Sequence, residues 1–107
     1  MPYAVLPFDA LPWQPGNHPL ERKKLGLLGG ATLLRFEPGF QDPNWCTNGH
    51  VAYVLEGMLR LQLRDTVLDV LAGQGFVLDP GEAHRASNPG FEPVVLFIAP
   101  RGDTPQP

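Results

Sequence analysis

Asn44-Trp45-Cys46-Thr47-Asn48-Gly49-His50-Val51-Ala52-Tyr53-Val54-Leu55-Glu56-Gly57 contains the chain's only cysteine, a turn signal at Asn48-Gly49 and an apolar run closed by a glycine. On a straight strand rising about 3.3 Å per residue, Cys46 and His50 would stand roughly 13 Å apart, too far to share a ligand. A turn at Asn48-Gly49 folds His50 back beside Cys46. A second histidine, His84, follows Asp79-Pro80-Gly81 in a similar setting. Two turns, each delivering a histidine to the start of a strand, point to a common site.

Working outward, His50, Ala52 and Val54 share one strand face and Val51, Tyr53 and Leu55 the other. Both faces are largely apolar, so this strand is expected to be covered on both sides. After Gly57, Leu59, Leu61 and Leu63 alternate with Arg60, Gln62 and Arg64, which predicts a half-buried strand with a polar outer face. Further short apolar runs at 31–37, 67–71, 76–78, 85–87 and 94–99 are separated by glycine- and proline-bearing turns, among them Pro38-Gly39, Ala72-Gly73-Gln74-Gly75 and Asn88-Pro89-Gly90. Residues 25–34 read as a short strand and a Gly29-Gly30 turn. No stretch of ten or more residues keeps a helical period. The pattern predicts an all-β chain, an antiparallel sandwich or barrel.

Residues 1–30 are expected to form an arm. Its first twenty residues carry five prolines, which fix φ and cannot donate to a ladder, so they read as irregular. Tyr3, Val5, Leu6, Phe8, Leu11 and Trp13 make the arm too apolar for a free tail. It is expected to pack on the body or on a partner subunit. His18, in this arm, reads as a solvated loop histidine, and Glu21 to Lys24 as a solvated turn or strand start. Residues 31–107 are expected to form the barrel, with its core at 31–99 and a frayed tail at 100–107.

The chain has 107 residues, enough for one domain with a modest core that dimerisation would help. Net charge is −3, and basic residues are not concentrated beyond Arg22-Lys23-Lys24, so neither nucleic acid nor an anionic membrane is an expected partner. A single cysteine excludes an internal disulfide and fits a reducing cytoplasm. No signal-peptide pattern opens the chain, and its longest apolar run is too short to span a bilayer. A homodimer is the expected assembly.

Two motifs resemble those of a known family. Tyr53-Val54-Leu55-Glu56-Gly57 is similar to the end of the first cupin motif, and Gly73, Gly81, His84 and Asn88 fall at the spacing of the second, with Asp79 where the family has proline. The chain looks like a small single-domain cupin, and the resemblance covers residues 31–99. It implies a jelly-roll (double-stranded β-helix) barrel. In metal-binding cupins, three histidines and a glutamate hold a divalent ion. Aligned on Gly57, the His-x-His pair falls on Asn44 and Cys46, and the glutamate position on His50; only His84 keeps its type.

The resemblance therefore implies a metal set of Cys46, His50 and His84, completed by Asn44 or water. A thiolate with two imidazoles favours zinc, with nickel, copper or iron(II) as alternatives. Plainer accounts stand beside this one. Cys46 packs as a small hydrophobe, or His84 binds a loop carbonyl. Cys46 as a nucleophile with His50 as base lacks an orienting third group. Tyr53, Trp45 and Phe76 are candidates to line a pocket, Asp79 and Glu82 to orient His84, and Arg35 and Arg85 to grip an anion. Two functions remain open: a metal-dependent small-molecule enzyme, and a non-catalytic, even metal-free, binding or sensing protein.

Overall fold

The alternation of leucine with arginine and glutamine after Gly57 holds in three dimensions: Leu59 and Leu61 are each 1% exposed, while Arg60 and Gln62 face outward beside them. The computed structural model describes residues 3–26 and 30–101. Among these lie nine strands: β1 (Gln14–Pro15), β2 (Glu21–Leu25), β3 (Thr32–Phe36), β4 (His50–Glu56), β5 (Met58–Leu63), β6 (Val67–Leu71), β7 (Gly75–Leu78), β8 (His84–Ser87) and β9 (Val94–Pro100). The one helical element among the described residues is a 3-10 turn at Phe8–Ala10. The chain is all-β.

All pairings are antiparallel and form two sheets, ordered β1-β2-β3-β9-β4-β7 and β6-β5-β8. β9, last in sequence, lies between β3 and β4. The larger sheet is therefore complete only when the C-terminal strand has docked, a non-local closure that makes folding slow relative to helical chains. This two-sheet jelly roll packs its inner faces around Phe36, Phe40, Val54, Leu59, Val94 and Leu96. Phe36 and Phe40 stack with ring centroids 4.0 Å apart.

Only part of the expected arm is irregular. β1 and β2 extend the larger sheet, with Glu21 to Leu25 paired along Phe36 to Thr32. Proline survives in β1 because that strand lies at the sheet edge. The segment before it packs on the chain's own barrel. Phe8 meets Phe97 edge-on at 6.1 Å, and Lys24 Nζ donates to the Phe8 carbonyl (2.9 Å) while lying 4.9 Å from the Trp13 ring. Gly29 of the expected Gly29-Gly30 turn, and residues 102–107 of the expected tail, lie outside the described residues. Pro100 belongs to β9.

The expectation that β4 is covered on both faces is corrected. Ala52 and Val54 are buried, but Val51, Tyr53 and Leu55 on the other face are 45–47% exposed. Apolar side chains alone did not reveal which face lacks a covering layer.

Two residues hold the end of the barrel away from His50 and His84. Gly57 takes φ +77°, and a Cβ there would stand 2.5 Å from the Pro93 carbonyl oxygen, so no side chain fits between β4 and β5. Asn88, 1% exposed, donates from Nδ2 to the carbonyls of Phe36 (2.9 Å) and Glu92 (2.8 Å) and accepts from the Gly90 N–H (3.0 Å). Asn88→Ala strips all three bonds and leaves buried carbonyls without that donor. The expected cost is about 2–4 kcal/mol, read as a lower urea midpoint at unchanged slope. A variant within about 0.5 kcal/mol of wild type would contradict this account.

Candidate functional site

Cys46 and His84 are joined backbone to backbone. The Cys46 N–H donates to the His84 carbonyl and the His84 N–H to the Cys46 carbonyl, each at 2.9 Å. Directly opposed residues of an antiparallel pair project their side chains to the same face. This places Cys46 beside His84, at the start of β8 in the smaller sheet. His50 comes from the larger sheet, where it opens β4 between Leu78 of β7 and Pro100 of β9. The His50 and His84 rings meet edge to face at 5.5 Å. One donor atom from each of Cys46, His50 and His84 lies within 4.8 Å of the others.

The route to this cluster differs from the expected one. Thr47, Asn48 and Gly49 run on without a turn. His50 nears Cys46 because Cys46 is pinned to His84 and Gly49 is pressed on the Pro80-Gly81 turn. A Cβ on Gly49 would lie 2.9 Å from the Pro80 nitrogen, so the contact needs glycine. Gly81, at φ +94°, closes the Asp79–Glu82 turn (Glu82 N–H to Asp79 carbonyl, 3.2 Å), and its own N–H donates to the Thr47 carbonyl (2.8 Å).

The tautomer of His84 follows from its partner. Its Nδ1 lies 2.8 Å from the Glu82 carbonyl oxygen, which can only accept, so Nδ1 carries the proton and Nε2 keeps its lone pair. Glu82 thus orients His84 through its backbone, not its carboxylate. His84 is 5% exposed. The pKa of His50 is depressed, chiefly by burial and secondarily by the charge of His84. Both effects favour the neutral imidazole that a metal requires.

The three residues line a cavity of about 700 Å³ between the sheets. Trp45, Phe76 and Asn44 line it as well, Asn44 from an exposed position. Tyr53 does not. An odd offset from His50 along β4 sends it to the outer face, so its expected place in a pocket is corrected. Asp79 is exposed and paired with Arg101 (3.0 Å), which removes it from the surroundings of His84. Arg35 pairs with Glu37 (2.7 Å), and Arg85 stacks over Trp45 (4.4 Å) while donating to Gln62 (3.1 Å). His18 stays outside the cluster. Half-buried, it packs on Phe40, and its Nδ1 accepts from the Leu20 N–H (3.0 Å).

Asp42 was missed by the sequence reading. It lines the cavity, its N–H donates to the Ala86 carbonyl (2.9 Å), and its Oδ2 accepts from the Ala86 N–H (2.9 Å). Burial raises its pKa, against the Ala86 hydrogen bond and nearby His84, His18 and Arg85. The available signal is a carboxylate just ahead of Pro43 and the Asn44–Gly57 stretch.

Protonation couples to stability with opposite signs at these groups. His50 has a folded-state pKa below 6.5, so as pH falls through about 6.5 the unfolded chain takes up the proton first, and stability is lost until the folded value is passed. Asp42 has a folded-state pKa above 3.8, so its contribution is fully present below 3.8 and is lost as pH rises through the folded value. Chelator-treated protein should therefore melt at progressively lower temperature as pH falls below about 6.5. In His50→Gln that slope should flatten. Equal slopes in thermal melts of the two proteins would contradict the assignment.

The described residues contain no helix long and apolar enough to cross a membrane. No curated protein sequence matches the chain. Solved structures of similar fold include KdgF from a Halomonas species (20% identity, 94% of this chain and 97% of that one, TM-score 0.75). The polyketide cyclase RemF from Streptomyces resistomycificus is also similar (19% identity, 96% and 82%, TM-score 0.76), as is a predicted oxalate decarboxylase from Thermotoga maritima (15% identity, 92% and 100%, TM-score 0.71). At these identities the likeness is one of fold. The family model described as Cupin domain matches residues 32–100, well over half of the sequence, and with the two motifs and the jelly-roll topology in agreement, the chain belongs to the cupins.

Proposed function

We propose that this cupin holds a divalent metal ion, zinc in preference, through Cys46, His50 and His84, and acts on a small molecule in the cavity those residues line. The observation that carries this reading is the convergence of three donors, one thiol and two imidazoles, within 4.8 Å. Tetrahedral zinc sets sulfur and nitrogen donors roughly 3.5 Å apart, a distance within small side-chain adjustments of that spacing. A thiolate with two imidazoles suits zinc better than the harder ions, and nickel, copper and iron(II) are the alternatives. Asn44, on the cavity rim, or water completes the set.

When bound, such an ion supplies Lewis acidity or an activated water. The chain's own residues supply the rest. Nδ1–H of His84 is held by the Glu82 carbonyl, which aims Nε2 at the site. Asp42, with Oδ2 engaged by Ala86, presents a carboxyl group at the cavity that can hold or release a proton, the acid–base partner an enzyme needs. A thiol among the ligands fits a reducing cytoplasm.

Metal removal is the direct test. A ligand bound only by the folded state at one hundred times its dissociation constant stabilises by about 2.7 kcal/mol. Chelator at about pH 7.5 should lower the melting temperature by several degrees and zinc should restore it. Cys46→Ala and His84→Ala should each abolish the response and the stoichiometric metal, while His18→Ala should retain both. If wild type carries no metal and ignores chelator, the trio is packing and the protein is a metal-free ligand binder.

The same reading takes the protein as a homodimer. Val51, Tyr53 and Leu55 of β4 and Val77 of edge strand β7 expose an apolar outer face beside the arm that covers Phe97. Light scattering after size exclusion should give twice the chain mass at micromolar concentration, and Val77→Arg should give the monomer. A monomeric wild type removes the dimer.

A further inference from the structure

On β3, β5 and β8 strand alternation sorts the charges by face; on β2, Lys23 shares the strand face of Glu21 but does not line the cavity. On β3, Thr32, Leu34 and Phe36 line the cavity, while Arg35 between them points outward to Glu37. On β8, His84 and Ala86 line it, and Arg85 lies on the opposite face against Gln62. On β5, Leu59 and Leu61 line it, and Arg60 pairs outward with Asp69 (2.9 Å). Trp45 stands at the rim as a partition. Its ring lies in the cavity wall and also carries the Arg85 guanidinium at 4.4 Å and that of Arg64 at 5.5 Å. Among the described residues no lysine or arginine lines the cavity, and the remaining residues of the sequence contain neither type.

Two carboxylates do line it, Asp42 and Glu21. The rest of the wall is largely hydrocarbon and aromatic: Leu34, Phe36, Leu61, Phe76, Leu96 and Ile98. With a divalent ion in place, its two positive charges would face one thiolate and these two carboxylates. An anionic ligand would find no lysine or arginine on the cavity wall to pair with and would leave water for a largely hydrocarbon wall that carries two carboxyl groups, a cost that grows as the local dielectric falls. A volume of about 700 Å³ is that of a site for a drug-sized molecule, not for a two-carbon acid.

We propose that the cavity selects an uncharged small molecule with an apolar, ring-containing body and a hydroxyl or carbonyl group directed at Asp42 and the Cys46/His50/His84 cluster, and that it discriminates against carboxylates and phosphates. This rests on the small-molecule half of the proposed function and not on the metal.

The probes are 2-naphthol, 2-naphthoate and oxalate, titrated calorimetrically at about pH 7.5 into zinc-loaded and chelator-stripped protein. The two naphthalenes share a ring body and differ in charge. In both forms 2-naphthol should bind at least about tenfold tighter than 2-naphthoate, and oxalate should give no measurable heat. Asp42→Asn removes one negative charge and should narrow the naphthol preference severalfold. Thr32→Arg places a cation on the wall and should reverse it; should that variant not fold, Asp42→Asn reads the same charge dependence. Binding of 2-naphthoate or oxalate as tight as 2-naphthol, in either form of the wild type, overturns the proposal. So does binding of neither aromatic, whether or not zinc binds. If 2-naphthol binds with the expected preference while zinc does not bind at all, the metal reading fails and this one stands.

Discussion

The paired backbone hydrogen bonds between Cys46 and His84 hold the connection between β3 and β4 against β8, and the cavity depends on that attachment. Residues 39–46 run alongside β8 as an irregular extra strand. Phe40 faces Asn88, Gln41 faces Ser87, Asp42 faces Ala86, and Cys46 faces His84. Between the last two matches, Pro43, Asn44 and Trp45 all stand opposite Arg85 alone. The ladder opens after the Asp42 N–H, because the Asp42 carboxylate oxygen takes the Ala86 N–H that a backbone carbonyl would otherwise accept. The bulge swings Trp45 outward over Arg85 and brings the chain back in register at Cys46. Without the re-entry at Cys46, both of its backbone bonds to His84 would be lost and the thiol would not meet His84.

That arrangement gives Asp42 two engagements at once. One oxygen is held by the bulge, a structural duty that alone accounts for an acidic residue at this place. The side chain also lines the cavity, in surroundings that disfavour its charge. A carboxyl group anchored through one oxygen is restricted in rotation, so the other oxygen is presented in a narrow range of directions. This is the condition acid–base chemistry asks of a proton carrier, that position be settled before protonation. The same restriction is seen at His84, where the Glu82 carbonyl settles the tautomer.

Much of the fold was legible in the sequence because strands write themselves in period two and turns in glycine and proline. Leu59 and Leu61 against Arg60 and Gln62 announced β5, and Gly73, Gly81, His84 and Asn88 announced the second motif. What failed to show was the environment of each face. Val51, Tyr53 and Leu55 look like core residues, and only the assembled sheet reveals that they are left half-exposed among the described residues. Glu21 to Lys24 look like a solvated turn or strand start, and with Leu25 they form β2, half-buried because its backbone is paired along β3. In the site, His50, Cys46 and His84 could be named from spacing, but the Asn48-Gly49 turn assigned to bring them together does not exist. Long-range pairing does that work, and no local pattern encodes it. Asp42 was invisible for the same reason: its partner is forty-four residues away.

The departures from the family's ligand pattern follow from how the cluster is built. The bonds that join Cys46 to His84 are made by peptide groups, so they are indifferent to the side chains mounted on them. His50 likewise keeps its place through the ladder of β4 with β7 and β9. Side chains at these positions project towards one point whatever their chemistry. Exchanging a histidine for Cys46, or a glutamate for His50, therefore leaves the scaffold unstrained and changes the charge and softness of the donor set. At these two positions a carboxylate and an imidazole give way to an imidazole and a thiol, a softer donor set. The fold constrains where donors converge, and the residues at 46 and 50 decide what they can hold.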